Sequence, residues 1–213
     1  MHLIEIASTP KGALFWIVTI LSGVIAAVVF VVNDISNRSP IDCALGAART
    51  DGSKTKEPLD PPERRRKYDA RYLEDFIAAA AGQKIGHQTA LQKYISPTLL
   101  WMDVAFAVAL GLFSALLAVG VAPYLPWQPW SSYVALFCAA MGICYGVIDV
   151  IEDIKLAAIL EKGVPVGADA ARHANWLTQA KFATIGLSIV GVLAFYLFGA
   201  VSDAIKILIA RSC

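Results

Sequence analysis

The chain has 213 residues, 57% of them hydrophobic, with a mean hydropathy of +0.60 and a formal net charge of +1. Soluble domains run nearer ~45–50% apolar, and a charge this small offers no electrostatic footprint for nucleic acid. The composition is therefore that of a small integral membrane protein with no nucleic-acid partner.

From Ala13 to Val32 runs an uninterrupted apolar segment. At ~1.5 Å per helical residue it is long enough to cross ~30 Å of hydrocarbon. A secretory leader is the competing reading, but the basic start is thin, the apolar run is long, and no small-x-small pattern precedes Asn33-Asp34. The segment is expected to be a first transmembrane helix (residues 1–33), with Phe15 and Trp16 at the interface and Thr19, Ser22, Gly23 and Ala26 on one face.

Residues 34–96 read as a polar connection. Its first half is rich in Gly, Pro, Ser and charge and is expected to be flexible loop. Asp60 then offers an N-cap, Pro61 and Pro62 suit a helix start, and Gly82 suits a stop. The intervening run predicts an amphipathic helix over about 61–81, with Tyr68, Tyr72, Leu73, Phe76, Ile77 and Ala80 on one face. Its start carries Arg64, Arg65, Arg66 and Lys67, which suit anionic lipid headgroups. The alternative is a helix packed on the protein's own surface with its charges solvated.

Ser96-Pro97 suits the start of a second span, about 97–121. On the face of Asp103 follow Ala107, Gly111, Ser114 and Ala118, small residues at helical spacing. The link to the next span holds Pro, Trp and no charge, and reads as an interfacial hairpin. The third span, about 131–153, carries Ala135, Ala139, Gly142, Gly146, Asp149 and Asp153 at spacings of four and three. This is one stripe of small residues, including a Gly142/Gly146 pair, that ends in acids. Gly163 stops it. A fourth span, about 174–200, presents Thr178, Lys181, Thr184, Ser188 and Gly191 on one side, followed by a short tail.

Charge sets an orientation. Residues 33–96 hold eleven Lys and Arg, and the turn between spans three and four adds Lys155, Lys162 and Arg172. The opposite loops are nearly bare of them, so the long connection is expected in the cytoplasm and both termini outside, in a membrane of the bacterial inner (plasma) type. The fold class is then all-α: a four-span antiparallel transmembrane bundle with an amphipathic helix between spans one and two. Small-residue contacts at Gly111, Gly142, Gly146 and Gly191 close the core formed by residues 97–213.

This arrangement gathers Asp103, Asp149, Glu152, Asp153 and Lys181 at the cytoplasmic side. A charge in the bilayer costs several kcal/mol unless paired, so these groups are expected to meet. Three readings follow. Lys181 neutralises Asp149 or Asp103 structurally, with Glu152 and Asp153 solvated outside. Alternatively, the surplus acids bind or carry a cation, a proton or an amine headgroup. As a third reading, a lipid-acting enzyme uses the carboxylates as general acid and base, although no nucleophile elbow, phosphate loop or dinucleotide fingerprint accompanies them.

The four cysteines (43, 138, 144 and 213) and three histidines are scattered, so neither a metal site nor a cofactor is expected. The leading expectation is a non-enzymatic scaffold or partner subunit whose partners are the bilayer, including anionic lipid, and a second protein or a second copy.

Overall fold

The computed structural model describes residues 12–50, 59–65, 67–124 and 130–212. The described residues are helical apart from one small hairpin and short connecting turns. In order, α1 is Ala13–Asn33, followed by a π-helical stretch Asp34–Arg38 and α2, Ser39–Thr50. A 3₁₀ turn at Pro62–Arg64 leads towards α3, Ala70–Gly82. Strands β1 (Lys84–Ile85) and β2 (Gln88–Thr89) pair antiparallel. Helix α4 (Ala90–Lys93), a π stretch (Tyr94–Asp103) and α5 (Val104–Val121) follow, then α6 (Trp130–Lys162) and α7 (Ala168–Ser212).

Among the described residues, four helical segments are long and apolar enough to cross a membrane: Ala13–Gly46, Ala90–Val121, Trp130–Lys162 and Ala168–Ala194. Their outward faces carry exposed large apolar side chains such as Leu14, Ile17, Ile143, Val147, Val190 and Leu193.

Several boundaries differ from the sequence expectation. The first apolar helix does not give way to flexible loop at Asn33, because helix continues to Thr50. Pro40 falls near the start of α2, and Ile41 and Leu45, one turn apart, are buried. Asp60 does not cap the amphipathic helix. Asp69 does, its carboxylate accepting from the backbone N–H of Tyr72 at 2.8 Å, so α3 begins at Ala70 and Tyr68 precedes it. Thr89 and Gln92 form a reciprocal capping box, which starts helix ahead of Ser96-Pro97. Ser96 then leaves helical geometry (φ −142°, ψ 119°), a kink at the expected second start. The Thr98 hydroxyl donates to the carbonyl of Lys93 there, at 3.0 Å. The third helix runs through its acids to Lys162 and stops at Gly163 as expected, whereas the fourth absorbs the supposed tail. Arg66 and residues 125–129 of the proline–tryptophan link lie outside the described residues.

The chain divides into two compact units. One comprises residues 1–24, 109–146 and 182–213. Here small residues set the spacing: a Cβ at Gly111 would lie 2.9 Å from the carbonyl oxygen of Gly142 and 3.2 Å from the Cα of Gly146. Gly142 faces Ser114 and Ala115, and Gly191 faces the Cys138 sulfur. The Ser188 hydroxyl donates to the Cys138 carbonyl at 2.9 Å. Such close backbone approach is how helices bind one another where water supplies no hydrophobic drive.

The other unit comprises residues 25–108 and 147–181. Its core is larger and more conventional: Ile41, Leu73, Phe76, Tyr94, Leu99, Leu156 and Leu160 are buried together. Phe76 and Tyr94 meet edge to face, with centroids 5.1 Å apart. The apolar face of α3 (Leu73, Phe76, Ile77, Ala80) is covered by this core. All the charged residues discussed next belong to this unit.

Candidate functional site: a buried acidic cluster

The cluster has two arms. The first is built by the end of α1 and the segment after it. Asn33 and Asn37 lie one turn apart, and the wider π turn at Asp34–Arg38 brings Arg38 round towards the same side. Asn33 Nδ2 donates to Asp103 Oδ1 at 2.8 Å, and Arg38 Nη2 donates to the same oxygen at 2.6 Å. Asn37 Nδ2 holds Asn33 in place through its Oδ1 at 3.0 Å. Arg38 also lies 4.0 Å from Glu63 Oε1. The other oxygen of Glu63 accepts from the Tyr94 hydroxyl.

The second arm centres on Lys181. Its Nζ donates to Asp149 Oδ1 at 2.8 Å and sits 2.6 Å from Glu152 Oε2. Glu152 Oε1 accepts from the Thr178 hydroxyl, which lies 3.2 Å from the hydroxyl of Tyr68. Asp149 and Glu152 are three residues apart on α6, and Thr178 and Lys181 three apart on α7. Each helix therefore presents two groups on one face. Asp153, one turn beyond Asp149, is 1% exposed and lies within electrostatic range of Asp149, Asp103, Lys181 and Glu152.

The expected contacts are thus partly redistributed. Lys181 meets Asp149, as one reading required, but its second partner is Glu152, while Asp103 is held by Asn33 and Arg38. Glu152 and Asp153 are not solvated outside the helices; they are 0% and 1% exposed, because α6 continues beyond them and packs Leu156, Ala157 and Leu160 into the core. The basic run is dispersed as well. Arg64 pairs with Asp42 at 2.8 Å and with Asp34 at 3.7 Å, and the Arg65 guanidinium lies 4.5 Å from the centre of the Tyr72 ring. Lys67 lines a surface cavity with Arg65.

Charge does not balance in this cluster. Among the described residues, Glu63, Asp103, Asp149, Glu152 and Asp153 are five buried carboxyl groups, and Arg38 and Lys181 are the cations in contact with them. Oδ2 of Asp103 and Oδ2 of Asp153 are buried with no hydrogen-bond partner among the described residues. Glu63, outside the apolar spans, feels the imbalance directly. Burial above all, and then the Asp103 carboxylate, push it up to about 7 against the pull of Arg38 and Lys181. Among the described residues no group of three His, Cys, Asp or Glu is disposed to hold a metal ion.

Asn33, Asn37, Arg38, Glu63, Tyr68 and Tyr94 were not singled out as site residues from the sequence. Asn33, Asn37 and Arg38 do carry a legible signal, since polar residues at one-turn spacing close an otherwise apolar helix. Glu63 carries none, because it reads equally well as a helix-start acid. No protein-family model matches this chain, and neither a curated protein nor a solved structure does.

Proposed function

We propose that the protein is a non-enzymatic membrane subunit whose four apolar helices cross the bilayer as an antiparallel bundle and whose acidic cluster binds protons. The residue 34–96 connection and the 163–167 turn are then cytoplasmic, following the distribution of Lys and Arg. The proton reading rests on one observation: among the described residues, five buried carboxyls face two cations. A cluster serving only to fix helix register would be expected to match its charges, because each unpaired ion in so dry a place costs several kcal/mol. A surplus of three acids is relieved by protons or by a bound cation. Oδ2 of Asp103 and Oδ2 of Asp153, which have neither a hydrogen bond nor an ion pair among the described residues, favour the proton.

Infrared spectroscopy of the folded protein in detergent at pH 7 tests this. A neutral carboxylic acid has a carbonyl band distinct from that of a carboxylate, and the band is expected here and should shrink in Asp153→Asn. A wild-type spectrum without a carboxylic-acid band would overturn the reading. A melting temperature that shifts with a divalent cation at constant pH would favour the cation instead.

A further inference from the structure

The acids that hold the surplus are buried, so protons need a way in. The second arm of the cluster contains a line of groups that can pass them. A surface cavity of about 440 Å³ is lined by Arg65, Lys67, Tyr68, Asn175 and Gln179 among others, and Tyr68 lines a neighbouring cavity of about 370 Å³ as well. Tyr68 is 7% exposed, and its hydroxyl lies 3.2 Å from Thr178 Oγ1. Thr178 is fully buried and donates to Glu152. Glu152 meets Lys181, which also holds Asp149. The backbone N–H of Tyr68 donates to Asn175 Oδ1 at 3.2 Å, which ties the tyrosine to α7 at the cavity wall.

We propose that protons enter the cluster from this cavity through the hydroxyls of Tyr68 and Thr178, with Glu152 as the first carboxylate to receive them. This rests on the proton-binding reading above. In one passage a proton from water in the cavity bonds to the Tyr68 oxygen, whose own proton moves to Thr178 Oγ1. The Thr178 proton in turn moves to Glu152 Oε1. Both hydroxyls end neutral, Glu152 gains one proton, and the cavity loses one. Both must then rotate back before a second passage. Thr178 has a resting acceptor for that interval in the Ala174 carbonyl, at 3.2 Å.

Two features suit the hydroxyl pair to this work. Each is both donor and acceptor, which neither Lys181 nor Arg38 can be while charged. Burial, the largest influence on Tyr68, holds its phenol above the ordinary range, so it stays a neutral hydroxyl at every pH at which the cluster works. Tyr68 and Thr178 are positioning and relay residues; the acids store the charge. The groups facing Glu152 are Lys181 and Thr178 directly and Asp149 electrostatically, with Tyr68 behind Thr178.

The test follows the carboxylic-acid infrared band after a rapid drop in pH, in the full-length protein in detergent. Wild type, Tyr68→Phe, Thr178→Val and Thr178→Ser are compared. Tyr68→Phe keeps the ring and Thr178→Val keeps the shape, so both should fold. The final amplitude should be unchanged in all four. The rise should slow by about tenfold or more in Tyr68→Phe and Thr178→Val, the effect of ~1.4 kcal/mol added to a barrier, and Thr178→Ser should stay close to wild type. Full amplitude at wild-type rates in both Tyr68→Phe and Thr178→Val would overturn the relay and leave proton binding standing. No band in wild type at any pH would remove proton binding itself, and the relay with it.

Discussion

Replacing Lys181 by Met removes the cation that holds Asp149 and Glu152 while keeping most of the stem's volume. The three side chains are at most 9% exposed and their contacts are 2.8 and 2.6 Å, so the loss is not softened by solvent. Breaking a buried pair by deleting one partner costs ~3–5 kcal/mol. An upper bound comes from the alternative open to the protein, which is to take up one more proton. Protonating a carboxyl of ordinary pKa (about 4.3) costs about 3.7 kcal/mol at pH 7 but only about 1 kcal/mol at pH 5, at 1.36 kcal/mol per pH unit. Lys181→Met should therefore be destabilised by about 3–4 kcal/mol at pH 7 and by about 1 kcal/mol at pH 5. Denaturant unfolding in detergent micelles, followed by circular dichroism at the two pH values, measures both. Adding Asp149→Asn should recover much of the loss at pH 7, since the double variant leaves one fewer stranded charge. A loss that is the same at both pH values, or that stays below about 1 kcal/mol at pH 7, would refute the idea that this lysine neutralises a buried, proton-exchanging pair.

Two further outcomes test the surroundings of the cluster. Glu63 is raised from an ordinary 4.5 to about 7 by burial and Asp103, with Arg38 and Lys181 opposing and Tyr94 donating to it. Below about pH 4.5 it is neutral whether folded or unfolded, and its penalty appears as pH rises through 7. Wild type should thus lose about 3 kcal/mol of stability across that interval relative to Glu63→Gln, and parallel pH–stability curves for the two would contradict this. In the other unit, Gly111→Ala sets a methyl 2.9 Å from the Gly142 carbonyl oxygen, a backbone atom that cannot swing aside, and should cost ~1–3 kcal/mol. Gly186, with nothing within 4 Å of its would-be Cβ, should instead gain up to ~1 kcal/mol as Ala. Thermal melts of the two variants should move in opposite directions.

The faces of the long helices were legible in the sequence because they are a local property. Ala135, Ala139, Asp149 and Asp153 are all buried, as their spacing requires, and so are Asp103, just before α5, and Ala107, Ser114 and Ala118 on it. Periodicity reports which side of a helix is turned inward wherever small residues contrast with Leu, Ile and Val. Helix ends were less legible. At Asn33 the apolar composition stops, yet helix continues through polar residues because tertiary burial of Ile41 and Leu45 favours continuation. A hydropathy boundary marks where lipid-like character ends, which need not be where the hydrogen-bonded helix ends.

The acid cluster shows the same division between local and long-range information. Asp149 and Lys181 could be paired by arguing from helical faces and a shared depth. Asp103 could not be given its partner that way. Arg38 lies 65 positions away, beyond an apparent loop, and it reaches Asp103 only because the π turn after Asn33 redirects it. Glu63 comes from a 3₁₀ turn whose proline-rich sequence favours several structures equally, and Tyr94 fixes it from the far side of the α3 core. The cluster's acid surplus was visible in the sequence as a count of residues. Its significance was not, because a solvated Glu152 or Asp153 would be of no consequence. Burial makes the difference: at 0% and 1% exposure those two carboxyls are cut off from solvent and need partners inside the protein or a proton, and that requirement, rather than any motif, is what marks this stretch of helix as a candidate site.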